Sequence, residues 1–322
     1  MARAASGGKA GAEGEPNPRI DTSKPGRDTR SGRSAADAGE AWEPPQALAP
    51  GLHLVATPIG NLGDITLRAL WTLRSADRIL CEDTRVTAKL LRRYGIEKPL
   101  QPYHDYNAER VRPGILAALS AGERIALVSD AGTPLVSDPG YKLVREALAE
   151  AIPVTAAPGP SAAVTALILS GLPPDRFLFG GFLPPRAAAR RRALAELATA
   201  SATLIFYEGA SRLAAALADM AEMLGDREAA VARELTKLHE ELRRGSLPAL
   251  AAHYRDAGPP RGELVVVVAP PQPQAAEPAD IEARLRGLLM EASLKDAVTR
   301  LADETGLGRR DLYRRALALR QR

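Results

Sequence analysis

From Leu52 onward, short apolar runs rich in β-branched residues alternate with longer stretches whose apolar positions recur at helical spacing. Such alternation predicts layered α/β domains built on mainly parallel, buried sheets. Strands are expected at Leu52–Thr57, Arg78–Glu82, Arg124–Asp130 and Pro153–Ala157. Helices are expected at Ile65–Ser75 after an N-cap at Asp64, Thr87–Tyr94, Ala108–Ala121, Tyr141–Ala151, and Ala162–Ser170 after an N-cap at Ser161. Gly171-Leu-Pro-Pro174 breaks the pattern as an interdomain hinge would.

The second half repeats the texture. Strands are expected at Phe177–Phe182, Thr203–Glu208, Ala229–Glu234 and Leu264–Ala269, with helices at Ala187–Ala200 and Arg212–Leu224. Leu238–Arg244 and Arg261–Val268 lack long helical partners, which predicts a mixed sheet. A Pro-rich linker follows at 270–279. Beyond it, Ile281, Leu285, Leu288 and Leu289 share one helical face, and Leu312, Tyr313 and Ala316 follow Gly306-Leu-Gly308. Two short helices around a Gly-containing turn predict a helix-turn-helix-like unit over 280–322. The expected domains are thus a tail over 1–48, α/β domains over 49–172 and 173–269, the linker and the helical unit.

Several classes are excluded. Cys81 is the single cysteine and has no disulfide partner in the chain, and four scattered histidines give no paired zinc-ligand spacing, so no metal is expected. The longest apolar runs, such as Leu264–Ala269, fall far short of a membrane span. Residues 1–45 hold seven Gly, five Pro, seven basic and seven acidic residues but only Met1, Ile20 and Trp42 as large apolar ones. That stretch cannot bury enough apolar surface to offset its ordering entropy, and it has neither an apolar signal core nor the acid-poor composition of a transit peptide. A disordered tail on a cytoplasmic protein is expected. The formal net charge of +4 says little about a nucleic-acid partner, so local charge must carry that argument.

In an open parallel sheet, ligands bind beyond the carboxyl ends of the strands. After the first strand, Thr57-Pro-Ile-Gly-Asn-Leu-Gly-Asp64 combines glycines with a rigid Pro58 and does not match the Gly-x-Gly-x-x-Gly dinucleotide fingerprint. The second strand ends in Glu82-Asp-Thr-Arg85, where Asp83 or Thr84 serves as an N-cap with Arg85 solvated. Alternatively, one carboxylate orients or deprotonates a substrate hydroxyl while Arg85 binds phosphate. His104-Asp-Tyr-Asn107 forms a further polar cluster before a helix. Ser129-Asp-Ala-Gly-Thr-Pro134 with Ser137-Asp-Pro-Gly140 is the most informative segment: Pro holds one loop shape and Gly admits close ligand approach. Pro158-Gly-Pro-Ser161 has the same character, and Ser161 either caps its helix or bonds a ligand carboxylate. In the second half, Tyr207 reads as core or pocket wall, and Arg233 with Glu234 fits a structural ion pair. Arg186, Arg190, Arg191 and Arg192 fall within seven residues, and Arg309–Arg322 carries six arginines against one acid, so each is a candidate phosphate-contacting surface.

Taken in order, Thr57-Pro-Ile-Gly-Asn-Leu62, Glu82-Asp-Thr-Arg85, Ser129-Asp-Ala-Gly-Thr-Pro134 with Asp138-Pro-Gly140, Pro158-Gly-Pro160, Gly181-Phe-Leu-Pro184, Phe206-Tyr-Glu208 and Arg233-Glu-Leu-Thr-Lys237 resemble the tetrapyrrole-methylase superfamily, in its branch acting on 16S ribosomal RNA. The resemblance covers about residues 51–269, and the C-terminal unit resembles the small helical domain of many members. It implies a two-domain tetrapyrrole-methylase-like (class III methyltransferase) α/β fold, a homodimer, and S-adenosylmethionine in the cleft between the domains. The implied reaction is methylation of a cytidine 2′-hydroxyl in the decoding region of 16S rRNA, on free RNA or on the small ribosomal subunit. The implied cofactor contacts are Pro58, Ile59, Gly60, Asn61 and Leu62; Ser129, Asp130, Ala131, Gly132, Thr133 and Pro134; Pro158, Gly159, Pro160 and Ser161; and Tyr207. The motifs do not fix the catalytic base, for which Glu82, Asp83 and Lys237 are candidates with Arg85 as a phosphate or transition-state partner. RNA is expected to be held by Arg186, Arg190, Arg191 and Arg192 and by the C-terminal arginines, among them Arg309 and Arg310.

Two rivals are weaker. A methylase of a tetrapyrrole or protein side chain needs no extended basic surface, and a non-enzymatic nucleic-acid-binding regulator leaves the Gly/Pro/Asp loops unexplained.

Overall fold

The computed structural model describes residues 47–271, 278–305 and 307–320. The expected tail, apart from Ala47 and Leu48, and positions 272–277 of the expected linker lie outside the described residues. Leu48, which the sequence places in the tail, is buried among Val55, Leu73 and Ile79, so the core reaches beyond the expected boundary.

The first half of the described chain contains β1 (Gly51–Val55), α1 (Leu67–Ser75), β2 (Arg78–Cys81), α2 (Thr84–Arg93), β3 (Leu100–Pro102), α3 (Ala108–Ser120), β4 (Arg124–Val128), α4 (Tyr141–Ala149), β5 (Val154–Ala157) and α5 (Ala162–Ser170). Its five strands pair in the order β3-β2-β4-β1-β5, all parallel. Leu52 and Val55 are fully buried on opposite faces, against separate clusters, as both-sides-covered parallel strands require. Asp64 is not the cap of α1: it ends a short 3-10 turn over Leu62–Asp64, and the Thr66 hydroxyl caps the helix by accepting from the Ala69 N–H. The helix expected at Thr87 starts at Thr84 because Asp83 caps it.

The second sheet and its helices comprise β6 (Phe177–Phe182), α6 (Ala187–Leu197), β7 (Thr203–Gly209), α7 (Leu213–Leu224), β8 (Glu228–Arg233), β9 (Glu241–Ser246), α8 (Leu247–Ala257) and β10 (Glu263–Val268). The sheet order is β6-β7-β10-β8-β9, with β6 parallel to β7 and the other pairs antiparallel, so it is mixed as expected. Gly180 lets β6 cross the Phe206 ring at a register shift between Phe179 and Gly181, where any side chain would overlap that ring. Three C-terminal helices follow instead of the expected two: α9 (Pro278–Glu291), α10 (Leu294–Thr305) and α11 (Arg309–Arg320). Ile281, Leu285, Leu301, Leu312 and Ala316 form their core. No helix among the described residues is long and apolar enough to cross a membrane.

Candidate functional site

The loops after β1, β4 and β5 are bonded to one another. Thr57 and Gly132 exchange backbone hydrogen bonds of 2.9 and 3.0 Å, the Thr57 hydroxyl donates to the Ser129 carbonyl, and the Thr133 hydroxyl donates to the Pro160 carbonyl at 3.4 Å. Within the β4 loop, Leu135 and Ser137 adopt φ of 72° and 66°, a left-handed conformation unfavourable for side chains with a Cβ. Such residues cost roughly 1–3 kcal/mol each and persist where the surroundings overdetermine them. The loop is therefore built to a shape rather than merely connecting β4 to α4.

These loops form one wall of a cavity of ≈ 370 Å³, lined by Ile59, Asp130, Ala131, Gly132, Thr133 and Asp138, with Ser161 and Ala162 at the start of α5. The opposite wall comes from the second sheet. Tyr207 pairs across β7–β10 with Val265, and Val265 pairs with Ala232 of β8, so these three lie in one row on one face. Phe182 and Leu235 close that side, and the Tyr207 ring meets Phe179 and Phe182 edge-on at 4.9 and 5.5 Å.

A second, more open cavity of ≈ 490 Å³ is lined by Glu82, Asp83, Thr84, Arg85, Pro102, His104, Tyr106 and Asp130. Asp130 belongs to both linings, so the two cavities meet at this residue. Asp130 Oδ1 also accepts from the Asp83 N–H at 3.1 Å.

The carboxyl groups here are tuned apart. Burial, then the charge of Glu82, pushes Asp138 up to about 6, against a hydrogen bond from Ser129 that lowers it. Burial followed by the negative charge of Asp130 raises Glu82, and burial also raises Asp130. Asp83 moves the other way: its hydrogen bonds from the Arg85 side chain and backbone hold it at about 2. Its Oδ2 lies 2.6 Å from an Arg85 guanidinium nitrogen.

The Asp138 shift has a sign that can be tested. Because the folded state keeps this proton up to about 6 whereas the unfolded chain releases it near 3.8, the folded state binds more protons between those values. Stability from this group is thus fully present below 3.8 and is lost as pH rises through about 6. Asp138→Asn should therefore melt higher than the wild type at pH 8, the gap closing as pH falls toward 4. An equal gap at both pH values in differential scanning calorimetry would contradict this.

Of the expected cofactor contacts, Ile59, Asp130, Ala131, Gly132, Thr133, Ser161 and Tyr207 line the first cavity. Pro58, Gly60, Asn61, Leu62, Ser129, Pro134, Pro158, Gly159 and Pro160 do not; Ser129 and Pro160 act instead through the loop-to-loop bonds above. Glu82, Asp83 and Arg85 gather in the second cavity, but Lys237 lines neither. Its stem packs over Gly60, where an added Cβ would stand 2.5 Å from Lys237 Cγ, and its ammonium pairs with Glu234 at 2.9 Å and Glu263 at 3.1 Å. Burial opposes the charge of Lys237, but the hydrogen bonds its ammonium donates to Glu234 and Glu263 outweigh it and raise the pKa, so the amine stays protonated. In this arrangement Lys237 is held as a cation between two carboxylates. Close by, Thr236 Oγ1 accepts from the Asn61 N–H at 3.2 Å, so the loop after β8 grips the loop after β1.

The basic cluster also divides. Arg190 is buried, its guanidinium bonded to Asp219 at 2.6 Å and to the Pro185 carbonyl at 3.2 Å, so its charge is turned inward and satisfied within the protein. Arg191 is shared between Asp219 and Glu222, whereas Arg186 and Arg192 are exposed. Arg309 and Arg310 are exposed at the start of α11.

Sequence reasoning missed Val136, Ala162, Phe182, Ala232, Leu235 and Val265 as cavity residues. Val136 and Ala162 adjoin motifs already singled out. The signal for Ala232 and Val265 was the strand pairing with Tyr207, which no single strand carries.

A family model described as Tetrapyrrole (Corrin/Porphyrin) Methylases matches residues 51–251, and one described as RsmI C-terminal HTH domain matches residues 275–320. A curated relative from Mesorhizobium japonicum named "Ribosomal RNA small subunit methyltransferase I" is 52% identical over 88% of this chain and 96% of its own length. One of the same name from Erythrobacter litoralis is 55% identical over 85% of this chain and 97% of its own. Among solved structures, cobalt precorrin-4 methyltransferase has a TM-score of 0.53 at 17% identity, covering 68% of this chain and 94% of that one. Diphthine synthase also has 0.53, at 16% identity, covering 68% and 89%. At such identities these two speak for the fold alone.

Proposed function

The chain belongs to the tetrapyrrole (corrin/porphyrin) methylase family, and from that premise we propose that it methylates the 2′-hydroxyl of a cytidine in the decoding region of 16S ribosomal RNA with S-adenosylmethionine as donor. The observation that carries this reading is the likeness, along both the methylase region and the C-terminal helical unit, to relatives named for the small ribosomal subunit.

The first cavity suits the donor. Its volume of ≈ 370 Å³ falls within the small-molecule range of roughly 300–1,000 Å³. Ile59, Ala162, Leu235 and Val265 offer apolar walls to a flat ring, Thr133, Ser137 and Ser161 offer hydroxyls, and Asp130 and Asp138 offer negative charge to a cationic group. When bound, S-adenosylmethionine supplies a methyl group made electrophilic by its sulfonium charge.

This chain's own residues must orient the acceptor and take its proton. A ribose hydroxyl is a weak nucleophile, so a positioned base is required. Glu82 fits best: it stands in the second cavity beside Asp130, and its raised pKa makes it a stronger proton acceptor than an ordinary glutamate. Asp83, held at about 2 by Arg85, is a much weaker base and serves as helix cap. Asp130, at the junction of the cavities, holds the Asp83 backbone and so fixes Glu82 from the other side.

The same reading places the enzyme in the cytoplasm with its ribosomal substrate, as a homodimer. Exposed apolar side chains one helical turn apart on α5, Val164 and Ile168, support a self-association face. The test of the reaction is transfer of labelled methyl from S-adenosylmethionine to small subunits from a strain lacking this gene, followed by nucleoside analysis. Labelled 2′-O-methylcytidine is expected. S-adenosylmethionine binding without incorporation would mean that the acceptor has been misassigned.

A further inference from the structure

Nothing in the proposed reaction accounts for the side chains on the outer wall of the second cavity. Tyr106 is 99% exposed yet is not on a loose tip. The Asn107 side chain closes the turn beneath it, accepting from the His104 N–H and donating to the Pro102 carbonyl, both at 2.9 Å. The His104 carbonyl in turn accepts from the backbone N–H groups of Asn107 and Ala108. Immediately before this turn Tyr103 is buried, so the segment is anchored at both ends while presenting one ring to solvent. His104 stands edge-on to that ring at 6.1 Å, and its Nδ1 is a buried atom without a hydrogen-bond partner.

Charge orders the cavity. With Asp83 paired to Arg85, Glu82 and Asp130 make its interior acidic, which repels a phosphate and admits a neutral base and sugar. Arg85, though paired with Asp83, has a side chain 87% exposed, so its guanidinium stands at the rim where a backbone phosphate can meet it. At ≈ 490 Å³ the space is ample for one nucleoside. A nucleotide splayed from its stack is held in proteins mainly by aromatic stacking and by hydrogen bonds to its base edge.

Resting on the reading of the reaction given above, we propose that the second cavity is the subsite of the target nucleoside, with Tyr106 stacking on its base. Glu82 and Asp130 then meet its ribose at the junction with the first cavity. Stacking on one aromatic ring changes affinity on the order of fivefold to a hundredfold.

The test compares wild type, Tyr106→Ala and Tyr106→Phe on isolated small subunits, measuring single-turnover methyl transfer and, separately, S-adenosylhomocysteine affinity. Tyr106→Ala should slow transfer by fivefold or more with S-adenosylhomocysteine affinity unchanged, and Tyr106→Phe, which keeps the ring, should restore the rate. Transfer by Tyr106→Ala within twofold of wild type, or a loss that Tyr106→Phe does not rescue, overturns the stacking role while leaving the reaction intact. Absence of transfer by the wild type itself is a different result: it overturns the rRNA reading, and the nucleoside subsite with it.

Discussion

Replacing Glu82 by Gln is expected to slow methyl transfer by on the order of 10²–10⁴-fold while leaving S-adenosylhomocysteine binding as in the wild type. The substitution keeps size and hydrogen bonding but removes the proton acceptor. Glu82 lines the second cavity and not the first, so donor affinity has no reason to change. The pH profile gives an independent check. Burial and the charges of Asp130 and Asp105 raise the Glu82 carboxyl above its ordinary 4.5, so wild-type activity should fall on the acid side at a pH above that value. Asp83→Asn retains an N-cap and removes only a carboxylate already held near 2, so its rate should stay within severalfold of wild type. A reversal, with Asp83→Asn inactive and Glu82→Gln active, would move the base to Asp83 and require the Arg85 pair to open during turnover.

The sequence carried the layered architecture because buried strands and amphipathic helices write their periods directly into the chain. It missed β3, three residues long and ending in Pro102, for the opposite reason: an edge strand of that length has no period to read. The third C-terminal helix did leave a signal. Ser293 accepts from the Asp296 N–H, a start motif visible as Ser-x-x-Asp, which ends the previous helix and begins α10. The site was legible where a motif is local. Glu82, Asp83 and Arg85 converge because they follow one strand, and the β1, β4 and β5 loops adjoin because parallel strands present all their carboxyl ends on one edge. The opposing wall was not legible, since Val265 and Ala232 reach Tyr207 only through an antiparallel register that depends on three strands at once.

Asp219→Ala is expected to destabilise the protein by about 3–5 kcal/mol, a fall in melting temperature on the order of 10 °C. The reason lies in the arginine cluster, where charge density alone suggested a single RNA-binding face. Arg190 and Asp219 have side chains only 6% and 5% exposed, and Leu194, one turn beyond Arg190, is fully buried, so α6 turns this arginine inward onto α7. Removing Asp219 leaves the Arg190 charge buried without its counter-ion and frees Arg191 from one of its two acids. It also loosens the hold of Arg190 on the Pro185 carbonyl, and thereby the Gly181–Pro185 segment that brings Phe182 to the first cavity. Arg186→Ala and Arg192→Ala, both at exposed positions, should leave the melting temperature within about 1 °C. Each should instead weaken binding to small subunits and reduce the salt dependence of that binding by about one unit of slope. If Arg190→Ala weakened RNA binding with no loss of melting temperature, the inward assignment would fail and the whole cluster would return to the RNA face. If it melts early, the RNA surface of this domain narrows to the outward residues of α6 and the loop before it.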